Sequence, residues 1–168
     1  MPRRSLPVVP WYSEGLSFTC TQCGNCCTGG PGYVWMSDDE VRILADHLKL
    51  SVEETVKKHC RLINGRLSLK ERKTPKGLYD CVFLIDLPTT DGSVKRGCGI
   101  YPVRPLQCRT WPFWDGNLET RESWQRAKRT CPGLDKGKPF TVEQIIALRD
   151  AEVWPGTEQT PTSAKTKA

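Results

Sequence analysis

Long apolar runs are missing from this sequence. No stretch approaches the roughly 18 consecutive apolar residues that would cross a bilayer. Pro7, Pro10 and Ser13 interrupt the amino-terminal segment, so it also lacks the apolar run of about 7 to 15 residues that marks a secretory signal. The expectation is a cytoplasmic protein with no membrane partner. Hydrophobic residues are scarce at 38%, against about 45 to 50% in an ordinary domain on a tally that also counts glycine. With 14 glycines and 13 prolines, the core is expected to be thin and the chain rich in turns. Histidine is nearly absent: His47 and His59 are the two, and their spacing is not the His-x(3 to 5)-His of zinc fingers. Both read as ordinary helix histidines, His59 being the better candidate for another role. There is no internal repeat.

Cysteine is what the chain does have. Nine in 168 residues is fewer than a secreted disulfide scaffold carries and far more than packing calls for. In a reducing compartment such a pattern reads as metal-binding or catalytic. The segment F-T-C-T-Q-C-G-N-C-C places Cys20, Cys23, Cys26 and Cys27 together. Zinc bonded to sulfur at about 2.3 Å needs its sulfurs roughly 3.8 Å apart, which a Cys-x-x-Cys turn reaches without long-range closure. Gly24 supplies the positive φ that lets backbone N–H groups turn toward a thiolate. One Cys-x-x-Cys alone reads equally as a redox pair; two overlapping ones with a further cysteine point to metal. Neighbouring side chains tend to point apart, so Cys27 is expected to serve a second site or to turn inward as a small hydrophobe.

Cys81, Cys98, Cys108 and Cys131 bring the number to eight, enough for two four-cysteine sites or for one site and an iron-sulfur cluster. The ninth, Cys60, reads as a packing residue of a helix.

A length of 168 residues matches one domain, since domains run to about 100 to 200 residues. Residues 1–17 read as an irregular arm, 18–154 as the cysteine-cluster domain and 155–168 as a disordered tail. Capping boxes at Ser37/Glu40, Ser51/Glu54 and Thr141/Gln144 predict three helices, the first two forming a hairpin. Arg66 to Glu71 and Cys81 to Ile85 read as short strands, the second continuous and buried, with a turn at Asp91-Gly92. The fold class expected is α+β: a small, irregular, metal-stabilised single domain with a helical hairpin, short strands and a carboxy-terminal helix.

The cysteine run, V-W-M-S-D-D-E-V, C-V-F-L and C-G-I-Y-P-V-R-P-L-Q-C-R-T-W-P-F together resemble the CxxCxxCC, or YkgJ-like, cysteine-cluster family over about residues 18 to 131. The resemblance implies chelation of zinc or iron, mononuclear or as an iron-sulfur cluster, by Cys20, Cys23, Cys26, Cys27, Cys81, Cys98 and Cys108, with Cys131. Arg104 and Arg109 match its R-P-x-x-C-R. They read either as guanidinium groups beside a thiolate or as members of an ion pair. Tyr101, Trp111, Pro112, Phe113 and Trp114 are expected to form an apolar jacket round the site.

Three functions follow as expectations: a metal-chelating protein with no reaction assigned; an iron-sulfur enzyme similar to flagellin lysine N-methylase; and a nucleic-acid-binding zinc module. The second lacks an obvious acid, base or nucleophile outside the cysteines. The third draws on the net charge of +6 and the basic residues near Trp124, which otherwise read as solvated faces.

Overall fold

Each capping box forms as the sequence predicts. Ser37, Ser51 and Thr141 accept from the backbone three residues on, and Glu40, Glu54 and Gln144 reach back to the cap. This satisfies N–H groups that a helix start otherwise leaves unpaired. The computed structural model describes residues 9–90 and 92–151. In chain order come β1 (Leu16–Phe18), a 3-10 turn (Asn25–Cys27), β2 (Thr28–Gly29), β3 (Trp35–Met36), α1 (Asp38–Leu48), α2 (Val52–His59), β4 (Cys60–Ile63) and β5 (Arg66–Leu69). There follow β6 (Glu71–Lys73), β7 (Tyr79–Cys81), β8 (Leu84–Pro88), β9 (Val94–Cys98), a second 3-10 turn (Tyr101–Val103), α3 (Leu106–Thr110), α4 (Asp115–Leu118), α5 (Arg121–Lys128), β10 (Leu134–Phe140) and α6 (Val142–Asp150). The class is α+β, and no helix among the described residues is long and apolar enough to cross a membrane.

The strands form four small antiparallel sheets, ordered β1-β10, β2-β7-β6, β3-β5-β4 and β8-β9. Sheets this small cannot share one hydrophobic face, and the core divides accordingly. One cluster gathers Tyr12, Phe113, Leu118, Trp124, Leu134 and Ile145, from both ends of the described chain. The other gathers Met36, Val41, Leu44, Cys60, Leu69, Phe83 and Ile100, from its middle.

Several elements differ from their sequence reading. Residues 9–17, read as an irregular arm, contain the start of β1 and the buried Tyr12, while Trp11 packs against the first cluster and donates to the Leu118 carbonyl. Cys60 stands just past the helix, opening β4 opposite Leu69, and is buried as a core residue. The segment from Cys81 to Ile85 is not one strand. Cys81 pairs with Glu71 and Leu84 with Cys98, and between them the Val82 N–H bonds to the Lys70 carbonyl. Ile85 is exposed, against the continuous buried strand expected. At the expected turn Gly92 takes a left-handed φ, and Asp91 lies outside the described residues, as does the segment 155–168 read as a tail.

Candidate metal centre

Eight of the nine cysteines line one cavity of about 300 Å³. It lies where the two hydrophobic clusters meet: Cys131, Trp111 and Phe18 pack on the first, and Cys81, Cys98, Leu69 and Ile100 belong to or pack on the second. Cys60 is the cysteine that does not line it.

The early tetrad is shaped by two left-handed residues. Gln22, at φ 54°, turns its backbone N–H toward the Cys20 sulfur at 3.4 Å. Gly24, at φ 72°, opens the 3-10 turn that carries Asn25, Cys26 and Cys27, and Cys27 N–H bonds to its carbonyl. A Cβ on Gly24 would stand 2.8 Å from Leu84 Cδ1 and 3.2 Å from the Arg96 carbonyl oxygen. Glycine is therefore required for space as well as for φ. The turn also overturns the expectation that Cys26 and Cys27 point apart, since their sulfurs are 3.9 Å from each other. That is close to the edge of a thiolate tetrahedron, about 3.8 Å.

Four more cysteines arrive on separate parts of the chain, with a shared crossbar behind two of them. The buried Asp80 precedes Cys81; its Oδ1 accepts from the Thr28 hydroxyl, beside Cys27, and its Oδ2 from Arg96, two residues before Cys98. Cys108 lies on α3, next to the buried Gln107. The Gln107 amide accepts from Trp35 N–H at 2.8 Å and donates to the Tyr33 carbonyl at 3.0 Å. Glu40 ties the same helix to α1: beyond its capping role, its Oε1 accepts from Leu106 N–H at 2.6 Å. Cys131 follows α5, its sulfur accepting from Trp111 Nε1 at 3.5 Å. The next turn is zipped to the strand entering Cys20 by Thr19 N–H to the Gly133 carbonyl. Asp80 and Gln107 had no motif to single them out, and Glu40 was visible only as the partner in a capping box. Buried polar side chains next to cysteines are visible only once burial is known.

The thiols do not behave alike. Hydrogen bonds to Cys26 and Cys98 keep the Cys27 proton strongly in place. Cys26 and Cys98, as the acceptors, are each lowered to about 7 despite burial, with Arg104 contributing. Burial pushes Cys81 up to about 11 and raises Cys108 and Cys131. The arrangement thus favours the ionised form of Cys26 and Cys98 over that of Cys27. Thiolates are the metal-binding form, and all nine cysteines are free.

The two arginines separate. Arg104 lines the cavity, with its guanidinium 3.7 Å from the Tyr101 ring centroid and its Nε donating to the Tyr101 carbonyl at 3.0 Å. Arg109 is exposed on α3 and lines neither this cavity nor its neighbour. Of the expected jacket, Tyr101, Trp111 and Trp114 line the cavity, whereas Phe113 is buried in the first cluster and Pro112 is fully buried. His59 rests against the Phe83 ring and His47 is exposed. Several cations are engaged within the fold: Arg61 with Glu71, Lys70 with the Lys57 carbonyl, Arg72 with the Leu84 carbonyl and Lys128 with Asp135.

The donor set of eight thiols suits zinc or iron, both of which take sulfur ligands, and not magnesium or calcium, which take oxygen. No three His, Cys, Asp or Glu side chains among the described residues already converge as a chelating group. Residues 19–132 match the CxxCxxCC family, described as a "putative zinc- or iron-chelating domain". The chain belongs to this family. It is also similar to the uncharacterized protein MJ0661 of Methanocaldococcus jannaschii, 32% identical over 131 residues, covering 75% of this chain and 63% of that one. The chain thus spans under two thirds of that relative's length. No solved structure matches it.

Proposed function

We propose that this family member binds zinc or iron through thiolates drawn from Cys20, Cys23, Cys26, Cys27, Cys81, Cys98, Cys108 and Cys131, and that the bound metal joins the two halves of its core. The observation that carries this reading is the segregation of cysteines: eight face one cavity while the ninth is an ordinary core residue. Chance packing would not sort them so. Arg104 is the charged group beside the thiolates, and it offsets part of their repulsion before metal arrives. Trp111 and Trp114 cover the site and limit water.

When bound, the metal would supply bonds between segments that otherwise meet through small sheets and a few side-chain hydrogen bonds. Zinc binding in small thiolate modules is worth about 10 to 16 kcal/mol, as much as the whole stability of an ordinary domain at about 5 to 15 kcal/mol. A reducing compartment, the cytoplasm, keeps such thiols available. The test is elemental analysis of protein purified without air. At least one equivalent of zinc or iron per chain is expected, removable by a strong chelator. A folded protein with no metal and no capacity to take up zinc or ferrous iron would overturn the proposal.

A further inference from the structure

We infer that the outer face of β3, β5 and β4, continued onto β6, binds single-stranded nucleic acid, with bases stacked at Tyr33 and Trp35 and phosphates held by the lysines beside them. This activity is separate from metal binding and is carried by a different surface.

Charge is the first observation. From Lys57 to Lys76 the chain has eight of its 25 Lys and Arg residues, but of its 19 Asp and Glu residues only Glu71. The segment therefore carries +7, and the other 17 basic and 18 acidic residues together carry −1. The positive excess of the protein is thus local. Glu71 is paired with Arg61 at 2.8 Å. Lys70 and Arg72 donate to carbonyl oxygens, which hold the side chains in place without cancelling their charge.

Aromatic rings interleave with these cations. Arg61, Ser68 and Trp35 lie in one row across the sheet, and Arg66, two residues before Ser68, shares their face. The Tyr33 and Trp35 rings stack with centroids 4.9 Å apart and planes 18° from parallel. The Arg66 guanidinium lies 5.0 Å from the Trp35 ring centroid and that of Arg61 5.3 Å from the Tyr33 ring centroid. Tyr33 remains 50% exposed. Through Glu71 the surface continues onto β6, where Lys73 pairs with Tyr79 as Glu71 pairs with Cys81. Tyr33, Lys70, Glu71 and Tyr79 border a cavity of about 330 Å³ beside the thiol cavity. The bond from Lys70 to the Lys57 carbonyl brings the basic last turn of α2, with Lys57 and Lys58, to the same edge.

A splayed single strand needs flat groups for its bases and positive charge for its phosphates, and bases stack on guanidinium planes as well as on rings. A duplex keeps its bases stacked on one another and makes no use of the rings. An acidic protein would use the charge and not the stack. Stacking and charge read neither a base edge nor a sugar hydroxyl, so RNA and DNA are expected to bind alike.

The experiment is fluorescence anisotropy on the full chain with labelled oligouridine and oligodeoxythymidine of about 15 nucleotides, against a duplex of equal length, over a series of salt concentrations. Both single strands should bind more tightly than the duplex, with log affinity falling by about 0.7 per phosphate contacted for each decade of salt. Tyr33→Ala should weaken binding at least about fivefold. Lys73→Gln combined with Lys76→Gln, both exposed, should weaken it and lower the salt slope by about 1 to 2. Lys136→Gln combined with Lys138→Gln removes the same charge from β10 and should leave binding unchanged. Metal content should stay at the wild-type level in all three variants. No binding at low salt, a preference for the duplex, or equal weakening by the two lysine pairs would overturn the inference and leave the metal reading standing. Binding to phosphatidylserine vesicles without binding to either oligonucleotide would mark a lipid surface and also overturn it. The lysine pairs decide the matter even if Tyr33→Ala fails to fold.

Discussion

At the scale of single residues, the left-handed Gln22 and Gly24 fall inside the cysteine run itself. Gly133 is a close joint of another kind: a Cβ there would collide with the Thr19 carbonyl oxygen and stand 3.2 Å from the Phe18 ring. Since Thr19 precedes Cys20 and Gly133 follows Cys131 by two, Gly133→Ala is expected to pry the two cysteines apart. A loss of about 1 to 3 kcal/mol in denaturant midpoint experiments is predicted, with weaker metal retention in competition with a chelator. Asp135 makes a second, independent prediction. Burial alone would raise its carboxyl, but hydrogen bonds from Lys128 and Trp124 and the Lys128 charge outweigh that and hold it below the usual range. A depressed folded value means that the stabilisation is present above the unfolded value of about 4 and lost as pH falls through the folded one. Asp135→Asn should therefore lower the urea midpoint by a constant amount from pH 8 to 5. The gap to wild type should narrow only below about pH 4. A gap that changes between pH 6 and 8 would contradict this assignment.

Among the elements, the capped helices and the strand at Arg66–Leu69 were legible in the sequence, and the pairing of the sheets was not. A capping box is a local contract between residues three apart, so Ser37, Ser51 and Thr141 announced their helices without knowledge of the rest. The break at Val82 and Phe83 depends instead on what lies across from it, Lys70 on one flank and Gly99 on the other, and no local pattern encodes those partners. The same divide holds at the site. Cysteine spacing pointed to Cys20, Cys23, Cys26 and Cys27 directly, while the crossbar at Asp80 is formed by residues 28, 80 and 96 and was invisible. Asp80→Ala leaves the Thr28 hydroxyl without its acceptor and frees the half-exposed Arg96. A cost of about 1 to 3 kcal/mol is expected, together with faster metal loss, because β2, just past Cys27, and the strands that carry Cys81 and Cys98 lose their common tie. Asp80→Asn, which keeps an acceptor for Thr28, should recover part of both. Equal losses in the two variants would show that the charge matters and the hydrogen bond does not.

For the whole molecule, the decisive feature is that two modest hydrophobic clusters share a boundary made of thiols. Apolar burial within each cluster does not by itself hold one to the other. Stripping the metal is therefore expected to lower the melting temperature by well over 10 °C, since a domain of this size moves about 2 to 4 °C per kcal/mol. Trp111, which donates to Cys131, should report the same event as a change in tryptophan emission. An unchanged melt and spectrum after verified removal would locate the stability elsewhere.

The eight sulfurs also impose an order of assembly on synthesis. A ribosome releasing this chain presents Cys20 to Cys27 early, yet Cys131 emerges more than a hundred residues later. Until then the opening tetrad is a half-built claw, free to seize whichever ion is at hand or to oxidise. On the proposed metal reading, final occupancy would be settled by exchange after translation, once the last thiol is in place.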